Sequence, residues 1–535
     1  MDAAAVVSRR WTGWCFLAAG IAVFLLFWPS RNFKAITYDD PQFIFGEPRV
    51  ASGLSLENAR WALTSRAERN WIPLARWSHQ LDASLFGANA GPPHLVSAAL
   101  HAINCVLLAL LLHRLTGNSC VALLAALAWA VHPLQVEAVA WLSNRKHLLA
   151  ASGAFAASLC WWRLRPGLPP RWAGAAVFLA LSLMARPTAV LLPLVWWWGD
   201  RCLRRALDKP WRRFLLPVLL GVVGILVTLW AQSQPDSPFG TKPPLRAGIW
   251  LAPAGAAHLV SLFLWPSALA FHYPMPKAVP WDLVAVGAAM LVAAVVFVWR
   301  WKYSRPLVSL GLVWMLALWL PASGLIPAGD LLTADRFANL PLAGAVLLFG
   351  TLACRLPPAA GRISMVAAVL GILTWTVLAR RQLLLWRDAP TLYASAISRQ
   401  PQDPLPRLQL GLWHAGRGEV EMAGPFFREA VAADPESLLA QYNLAVFALR
   451  TMHPEEVLAH AGVLVRERPD FAEGHWLVSQ AHYQMADLPK ALAAARRVLE
   501  LNPADLAAQA RVAELTATRP RPAKSRRPRG RERLP

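Results

Sequence analysis

The chain has 535 residues, of which 56% are hydrophobic, and its formal net charge is +22. The apolar content exceeds that of an ordinary soluble domain, and the basic residues lie in short loops between apolar segments and in a C-terminal tail. This placement indicates a polytopic membrane protein and argues against nucleic acid as a partner. The six cysteines form no disulfide framework and no C-x-x-C metal spacing.

Apolar segments recur along the chain up to residue 379, and a helix needs about 20 apolar residues to cross a bilayer. The predicted crossings are 11–28, 94–112, 120–133, 147–162, 172–185, 187–199, 214–231, 282–299, 306–325, 339–354 and 363–379. Segment 249–264 contains Pro253, and we interpret it as re-entrant or interfacial. The expected membrane domain is therefore an all-α bundle of about eleven spans over residues 1–379.

Sidedness follows from the Lys/Arg-rich short loops, which mark the cytoplasmic face. These loops are 163–171, 200–213 and 300–305. An odd number of crossings from a cytoplasmic N-terminus then places residues 380–535 outside, together with the first outer loop, residues 29–93.

Two adjacent carboxylates, Asp39 and Asp40, lie in this first outer loop. Close like charges raise the pKa of one partner, which suits a general base. A helix cap or a solvated turn is the alternative interpretation. The sequence does not decide which residue is the base, and the first of the pair is preferred slightly. Further along, His94 and His101 share a helix face. They are interpreted either as a pair of metal ligands, for which no third ligand has suitable spacing, or as polar residues packed in the core.

The second outer loop, 132–146, collects ionisable groups that are costly at membrane depth unless they pair or bind a ligand. Its His132 and Glu137 are suited to orienting a substrate. Arg145 and Lys146 are suited to holding a phosphate, or they anchor the helix at the interface. Arg186 and Arg336 lie at the same face, and arginine matches phosphate geometry. Pairing of Arg336 with its neighbour Asp335 is the alternative.

A helical repeat follows the membrane segments. Its prolines are spaced 34 residues apart, with small residues at fixed offsets between them: Pro401, Pro435, Pro469 and Pro503. This period predicts a TPR α-solenoid over residues 380–517, with three full repeats and the second helix of an earlier one at 386–400. Two roles are open for the array. It binds a peptide or protein, or its repeats only stack on each other and act as a spacer. Residues 518–535 form a Pro/Arg-rich tail that we expect to be disordered.

The motifs occur in a distinctive order: Tyr-Asp-Asp, Trp-x-Pro-Leu, His-Pro-x-x-Val-Glu-x-Val-Ala-Trp-x-x-x-Arg-Lys, Arg-Pro and Asp-Arg-Phe, followed by TPRs. This order resembles the transmembrane-and-TPR-containing O-mannosyltransferases and their bacterial relatives, within the GT-C class of glycosyltransferases. The resemblance covers nearly the whole chain, and loop 132–146 is its most specific part.

The resemblance implies an inverting transfer of a sugar from a polyprenyl-phosphate carrier to a hydroxyl acceptor, a protein Ser or Thr, on the non-cytoplasmic face. Asp39 or Asp40 would serve as base or bind the acceptor. The carrier phosphate would contact Arg145, Lys146, Arg186 or Arg336, and the TPRs would bind the acceptor protein. No cofactor or metal is required by the sequence, although a divalent metal assists some relatives.

One departure concerns residue 147, which is histidine where many relatives carry an acidic residue. The short repeat array favours a bacterial-type relative in the inner membrane with a periplasmic TPR domain, so mannose is not assumed. Two other classes remain open. A non-catalytic membrane-anchored TPR scaffold would need neither carboxylate, and a transporter would show internal repeats among its spans.

Overall fold

A computed structural model describes residues 3–162, 172–203, 212–233, 244–267, 269–326 and 331–517. The predicted basic loop 163–171, most of the loop 200–213 and the predicted tail 518–535 lie outside the described residues. The chain divides into two compact units, Met1–Pro401 and Gln402–Pro535.

The first unit is a helical bundle with a folded outer-loop layer. Its helices are α1 (Ala3–Phe27), α2 (Pro48–Ala51), α3 (Leu56–Thr64), α4 (Pro73–Phe86), α5 (Gly91–Thr116), α6 (Ser119–Ala130), α7 (Val136–Ala140), α8 (Arg145–Trp161), α9 (Trp172–Ala185), α10 (Leu192–Cys202), α11 (Arg212–Gln232), α12 (Gly248–Leu264), α13 (Trp281–Trp301), α14 (Pro306–Trp319), α15 (Pro341–Ala353), α16 (Pro358–Leu385) and α17 (Ala389–Arg399). Two short antiparallel strands, β1 (Tyr273–Pro274) and β2 (Leu331–Thr333), join two of the long loops.

Five helices among the described residues are long and apolar enough to cross a membrane. They are Trp11–Asn32, Gly91–Thr116, Arg212–Gln232, Trp281–Trp301 and Pro358–Leu385. The bent pair α6 and Pro133–Ala140, with an angle of 58°, makes a sixth if it counts as one broken span. Other apolar helices are shorter because loop segments that begin with proline interrupt them, as at Pro187 after α9. Helix length therefore does not establish the eleven predicted crossings.

The predicted re-entrant segment is one continuous helix, α12, even though Pro253 lies inside it. With 17 residues it is too short to count among the candidate spans. Most of its residues are buried against neighbouring helices and β2.

Small residues allow close helix crossings in the bundle. A Cβ atom built on Gly311 of α14 would lie 2.7 Å from the carbonyl oxygen of Gly344 on α15. A Cβ atom on Gly153 of α8 would lie 2.7 Å from the Ser182 side chain of α9. Glycine at these positions lets the helices approach to backbone contact, as is common among membrane helices.

Apolar side chains cover the outside of the long helices. In the most apolar window of α13 only 6% of residues are buried, and in that of α16 only 11%. Val292, Val295 and Ile363 are more than half exposed. Apolar surface of this extent is costly in water, and it is compatible with association with a membrane.

The second unit consists of antiparallel helix pairs: α18 (Pro404–Gly416) with α19 (Val420–Ala433), α20 (Leu438–Arg450) with α21 (Pro454–Glu467), and α22 (Ala472–Gln484) with α23 (Leu488–Leu501), followed by α24 (Leu506–Ala517). The small residues of the 34-residue period lie at the crossings. Gly411 contacts the Phe427 ring, and the equivalent Ala445 and Ser479 are fully buried. The C-terminal unit is therefore a TPR array, as the period predicts.

The boundary between the two units falls later than residue 379. That position lies inside the continuous helix α16, and α17 belongs to the first unit. The Tyr393 side chain of α17 is fully buried, with its ring 5.5 Å from that of Phe271. Residues 386–400 were expected to form the second helix of an early repeat. Helix α17 of this segment instead packs among the outer loops, which cover its apolar face.

Candidate functional site

The two neighbouring carboxylates of the first outer loop have different surroundings. Asp40 is fully buried, and its carboxylate accepts hydrogen bonds from the Ile36 amide at 2.8 Å, the Ser143 amide at 3.0 Å and the Ser143 hydroxyl at 2.6 Å. Asp40 therefore joins the first outer loop to the second. Burial raises the pKa of Asp40 to about 6, against the opposing effect of these hydrogen bonds.

Asp39 is only half-buried, and its carboxylate has no hydrogen-bond or ion-pair partner among the described residues. The backbone is a turn here, and Asp40 is the N-cap of a short π-helical segment, Pro41–Phe45. The two side chains therefore have separate environments although they are adjacent. Asp39 is the carboxylate that remains available to a ligand.

Three cationic side chains lie close enough to Asp39 to influence its charge. Burial raises the pKa of Asp39 above its ordinary value, and the positive charges of Lys146, Arg336 and Arg186 each lower it. These cations come from the start of α8, the loop after β2 and the turn after α9. The fold thus collects in one place four of the predicted site residues, which are up to 297 positions apart in the sequence.

Two of the cations have no anionic partner in contact within the described ranges of the chain. Lys146 is 5% exposed, and its ammonium group lies 4.9 Å from the centre of the Phe43 ring. The Arg186 guanidinium has no hydrogen bond or ion pair among the described residues. Burying a positive charge without an anion is costly, so this arrangement is suited to binding an anion.

The third cation, Arg336, is held by Glu137. The Glu137 carboxylate accepts hydrogen bonds from the Arg336 guanidinium and, at 2.9 Å, from its backbone amide. The guanidinium also lies 5.4 Å from the centre of the Trp141 ring. Asp335 accepts instead from the Tyr273 hydroxyl at 2.8 Å. Glu137 thus positions an arginine, and the alternative pairing of Arg336 with Asp335 does not occur.

Arg145 is turned away from this cluster even though it precedes Lys146. It is fully buried and forms an ion pair with Asp82 of α4. It also donates to the hydroxyls of Ser97 and Ser78, at 3.1 and 2.9 Å, and to the Pro93 carbonyl oxygen. With its donors occupied by protein, Arg145 holds α4 and α5 against α8.

His132 likewise has protein partners on both ring nitrogens. Its Nδ1 accepts from the Leu134 amide at 3.2 Å, and its Nε2 lies 3.1 Å from the Phe263 carbonyl oxygen. His101 contacts the Ala130 carbonyl oxygen at 2.8 Å, between aromatic rings. His94 packs on Phe33. No group of three side chains able to hold a metal occurs in the described part of the chain.

Ser143, Asp82 and Trp141 are structural partners of the site that sequence reasoning did not single out. Ser143 and Trp141 lie inside the motif of the second outer loop, and this position could have indicated that they contribute to the site. Asp82 gave only a weak signal, a carboxylate three residues after a histidine on an amphipathic helix. Its pairing with Arg145 depends on how the loops pack.

No protein-family model matches the chain, and no curated protein matches it. Among solved structures, the chain is similar to residues 41 to the end of MamA from Desulfovibrio magneticus RS-1, with 19% identity and a TM-score of 0.23, over 24% of this chain and 72% of that one. It is also similar to the APC/C hetero-tetramer Cut9–Hcn1, with 11% identity and a TM-score of 0.25, over 87% of this chain and 99% of that one. These similarities carry no argument about function. The fold itself defines an all-α protein with membrane-compatible apolar helices and a TPR array.

Proposed function

We propose that the chain is an integral-membrane glycosyltransferase of the GT-C type. It transfers a sugar from a polyprenyl-phosphate carrier to a hydroxyl group, a Ser or Thr of an acceptor protein, on the non-cytoplasmic face. The observation that carries this proposal is the unpaired Asp39 carboxylate beside Lys146, Arg186 and Arg336. An accessible base next to a cluster of cations is what transfer from a phosphate leaving group needs.

In the proposed reaction, Asp39 accepts the proton of the acceptor hydroxyl while the oxygen of that hydroxyl attacks the anomeric carbon. The bond from the anomeric carbon to the phosphate oxygen breaks, and the phosphate leaves with the electron pair. Attack from the face opposite the phosphate inverts the anomeric centre. Lys146 and Arg186 compensate the growing negative charge, and Glu137 keeps Arg336 oriented toward the same oxygens.

The rest of the chain fits the two other requirements of this chemistry. The apolar faces of α13 and α16 suit contact with lipid, in which the polyprenyl tail of the carrier is dissolved. The TPR array offers a helical surface suited to an extended peptide. The proposed location is the bacterial inner membrane, with the array in the periplasm.

The test uses the purified protein in lipid nanodiscs, farnesyl-phosphate sugars as donors and a Ser/Thr-rich peptide as acceptor. We expect transfer by the wild type and a loss of turnover of at least about 100-fold in the double variant Asp39→Asn/Asp40→Asn. Glu57→Gln, an exposed carboxylate on α3, is the control and should retain activity. Equal turnover by double variant and wild type, or peptide binding without transfer, would favour the non-catalytic TPR scaffold.

A further inference from the structure

A small cavity lies directly beside the cation cluster. Its volume is about 10 Å³, and its polar wall is formed by His147, Thr188, Arg336 and Asn339. A cavity needs about this much free space to hold one water molecule or one hydroxyl group. Leu318 is among the apolar residues that complete the wall.

Two residues of this wall have buried polar atoms without a hydrogen-bond partner in the described part of the chain. They are His147 Nε2 and Asn339 Oδ1, and the residues are 3% and 2% exposed. The amide nitrogen of Asn339 is already committed, because it donates to Gln135 Oε1 at 2.6 Å. Buried polar groups are nearly always paired in proteins, and an unpaired one is destabilising. The cavity is therefore suited to a ligand group that hydrogen-bonds with both.

The cavity lies close to each cation of the site. Arg336 itself lines the cavity, and the charges of Lys146, Arg186 and Arg336 all act on His147, which forms part of its wall. A ligand whose phosphate binds these cations therefore brings the substituent nearest the phosphate close to the cavity. In a glycosyl phosphate that substituent is on C2, next to the anomeric carbon that carries the phosphate oxygen.

We infer that the cavity binds the 2-hydroxyl of the donor sugar, and that His147 and Asn339 determine specificity for a 2-hydroxy sugar. The inference rests on the proposed function. The hydroxyl donates to Asn339 Oδ1, and its oxygen accepts a hydrogen bond from His147 Nε2. A 2-acetamido group has four heavy atoms and does not fit a space of about 10 Å³. The donor class is thus a polyprenyl-phosphate hexose with a free 2-hydroxyl.

The experiment compares three β-linked farnesyl-phosphate donors, which carry mannose, 2-deoxyglucose and N-acetylglucosamine, with wild type and with Asn339→Leu and His147→Phe. In each variant we expect kcat/KM for the mannose donor to fall about 10- to 100-fold. For the 2-deoxy donor it should fall by no more than about threefold, because that donor never made the bond. The ratio of the two donors within one variant cancels any loss of folded protein. Comparison of that ratio with the wild-type ratio cancels the intrinsic reactivity of the deoxy sugar.

The control is Ser143→Ala, which removes a hydrogen bond from Asp40 and does not line the cavity. It should slow both donors equally. Equal falls for both donors in Asn339→Leu and His147→Phe would overturn the inference while leaving the proposed function intact. The inference would also be overturned if the wild type transferred N-acetylglucosamine as fast as mannose. Transfer from none of the three donors would overturn the proposed function, and this inference with it.

Discussion

At the scale of single residues, the division of labour between Asp39 and Asp40 is set by hydrogen bonding. Three donors from Ile36 and Ser143 occupy the buried Asp40 carboxylate, whereas Asp39 has cations nearby but no donor in contact among the residues that the structure describes. A base must approach the acceptor hydroxyl, which only an unoccupied carboxylate does without breaking existing bonds. This geometry favours Asp39 as the base.

We therefore expect Asp39→Asn to lower turnover by roughly 100- to 10,000-fold and to leave donor binding unchanged, because the amide keeps the shape but accepts no proton. Asp40→Asn should retain turnover within about 10-fold, since it weakens the contacts with Ile36 and Ser143 but leaves the proposed base in place. Single-turnover kinetics and donor binding by calorimetry separate the two effects. A larger turnover loss in Asp40→Asn would reverse the assignment.

The cations around Asp39 should also be visible in the pH profile. The base acts as carboxylate, so turnover is lost as pH falls through the pKa of Asp39. Burial raises that pKa, and Lys146 is the strongest of the charges that lower it. Lys146→Met removes this opposing charge, so the acid limb of the kcat/KM profile should move to higher pH. Lys146→Arg keeps the charge, and an equal movement in that control would contradict this account.

At the scale of elements, neighbouring residues at the start of α8 serve different purposes. Successive side chains on a helix point about 100° apart, so Arg145 and Lys146 face different partners. Arg145 meets Asp82 on α4, and Lys146 faces the site. The sequence predicted that this pair is important, and it could not assign the two directions because α4 comes from another loop.

Removing one partner of a buried ion pair costs about 3–5 kcal/mol, because the other charge stays buried alone. Arg145→Met should thus lower the unfolding free energy of the first unit by about this amount. The double variant Arg145→Met/Asp82→Leu should recover part of it. Donor KM, measured on the folded fraction, should change less in Arg145→Met than in Lys146→Met. Denaturation in detergent and initial rates give both readouts, and a dominant KM effect would make Arg145 a phosphate ligand.

Sequence patterns predicted the elements that depend on local periodicity. The segments 94–112, 282–299 and 363–379 lie within α5, α13 and α16, and the 34-residue period matches the repeat helices. Local periodicity could not predict contacts between segments that are distant in the sequence. The burial of Tyr393 under Phe271 and the pairing of Glu137 with Arg336 depend on how loops fold over the bundle.

At the scale of the whole molecule, the basic loops predict an odd number of crossings, so residues 400 and 207 should lie on opposite sides of the membrane. Alkaline phosphatase and green fluorescent protein fused at each position report the periplasm and the cytoplasm, respectively. We expect phosphatase activity from the fusion at 400 and fluorescence from the fusion at 207. Signals from the same side would contradict the topology and the proposed placement of the TPR array.

The division of the chain at Gln402 allows the role of the array to be tested separately. Deletion of residues 403–515 removes the repeats and leaves the residues of the candidate site in place. Transfer to a small free acceptor should be retained, and transfer to the native acceptor protein should be lost. Equal loss with both acceptors would mean that the array only supports the fold.

The packing of α17 has a consequence for how acceptors are used. Thr37 Oγ1 lies 3.4 Å from the Tyr393 hydroxyl, so the helix that ends at Arg399 is fixed two residues from the proposed base. The repeats begin only three residues later, at Gln402. Under the proposed function, a peptide bound by the repeats is linked to the site through a connection of a few residues, which raises its effective concentration there. One bound chain would then receive several sugars before it dissociates, which produces clustered modification.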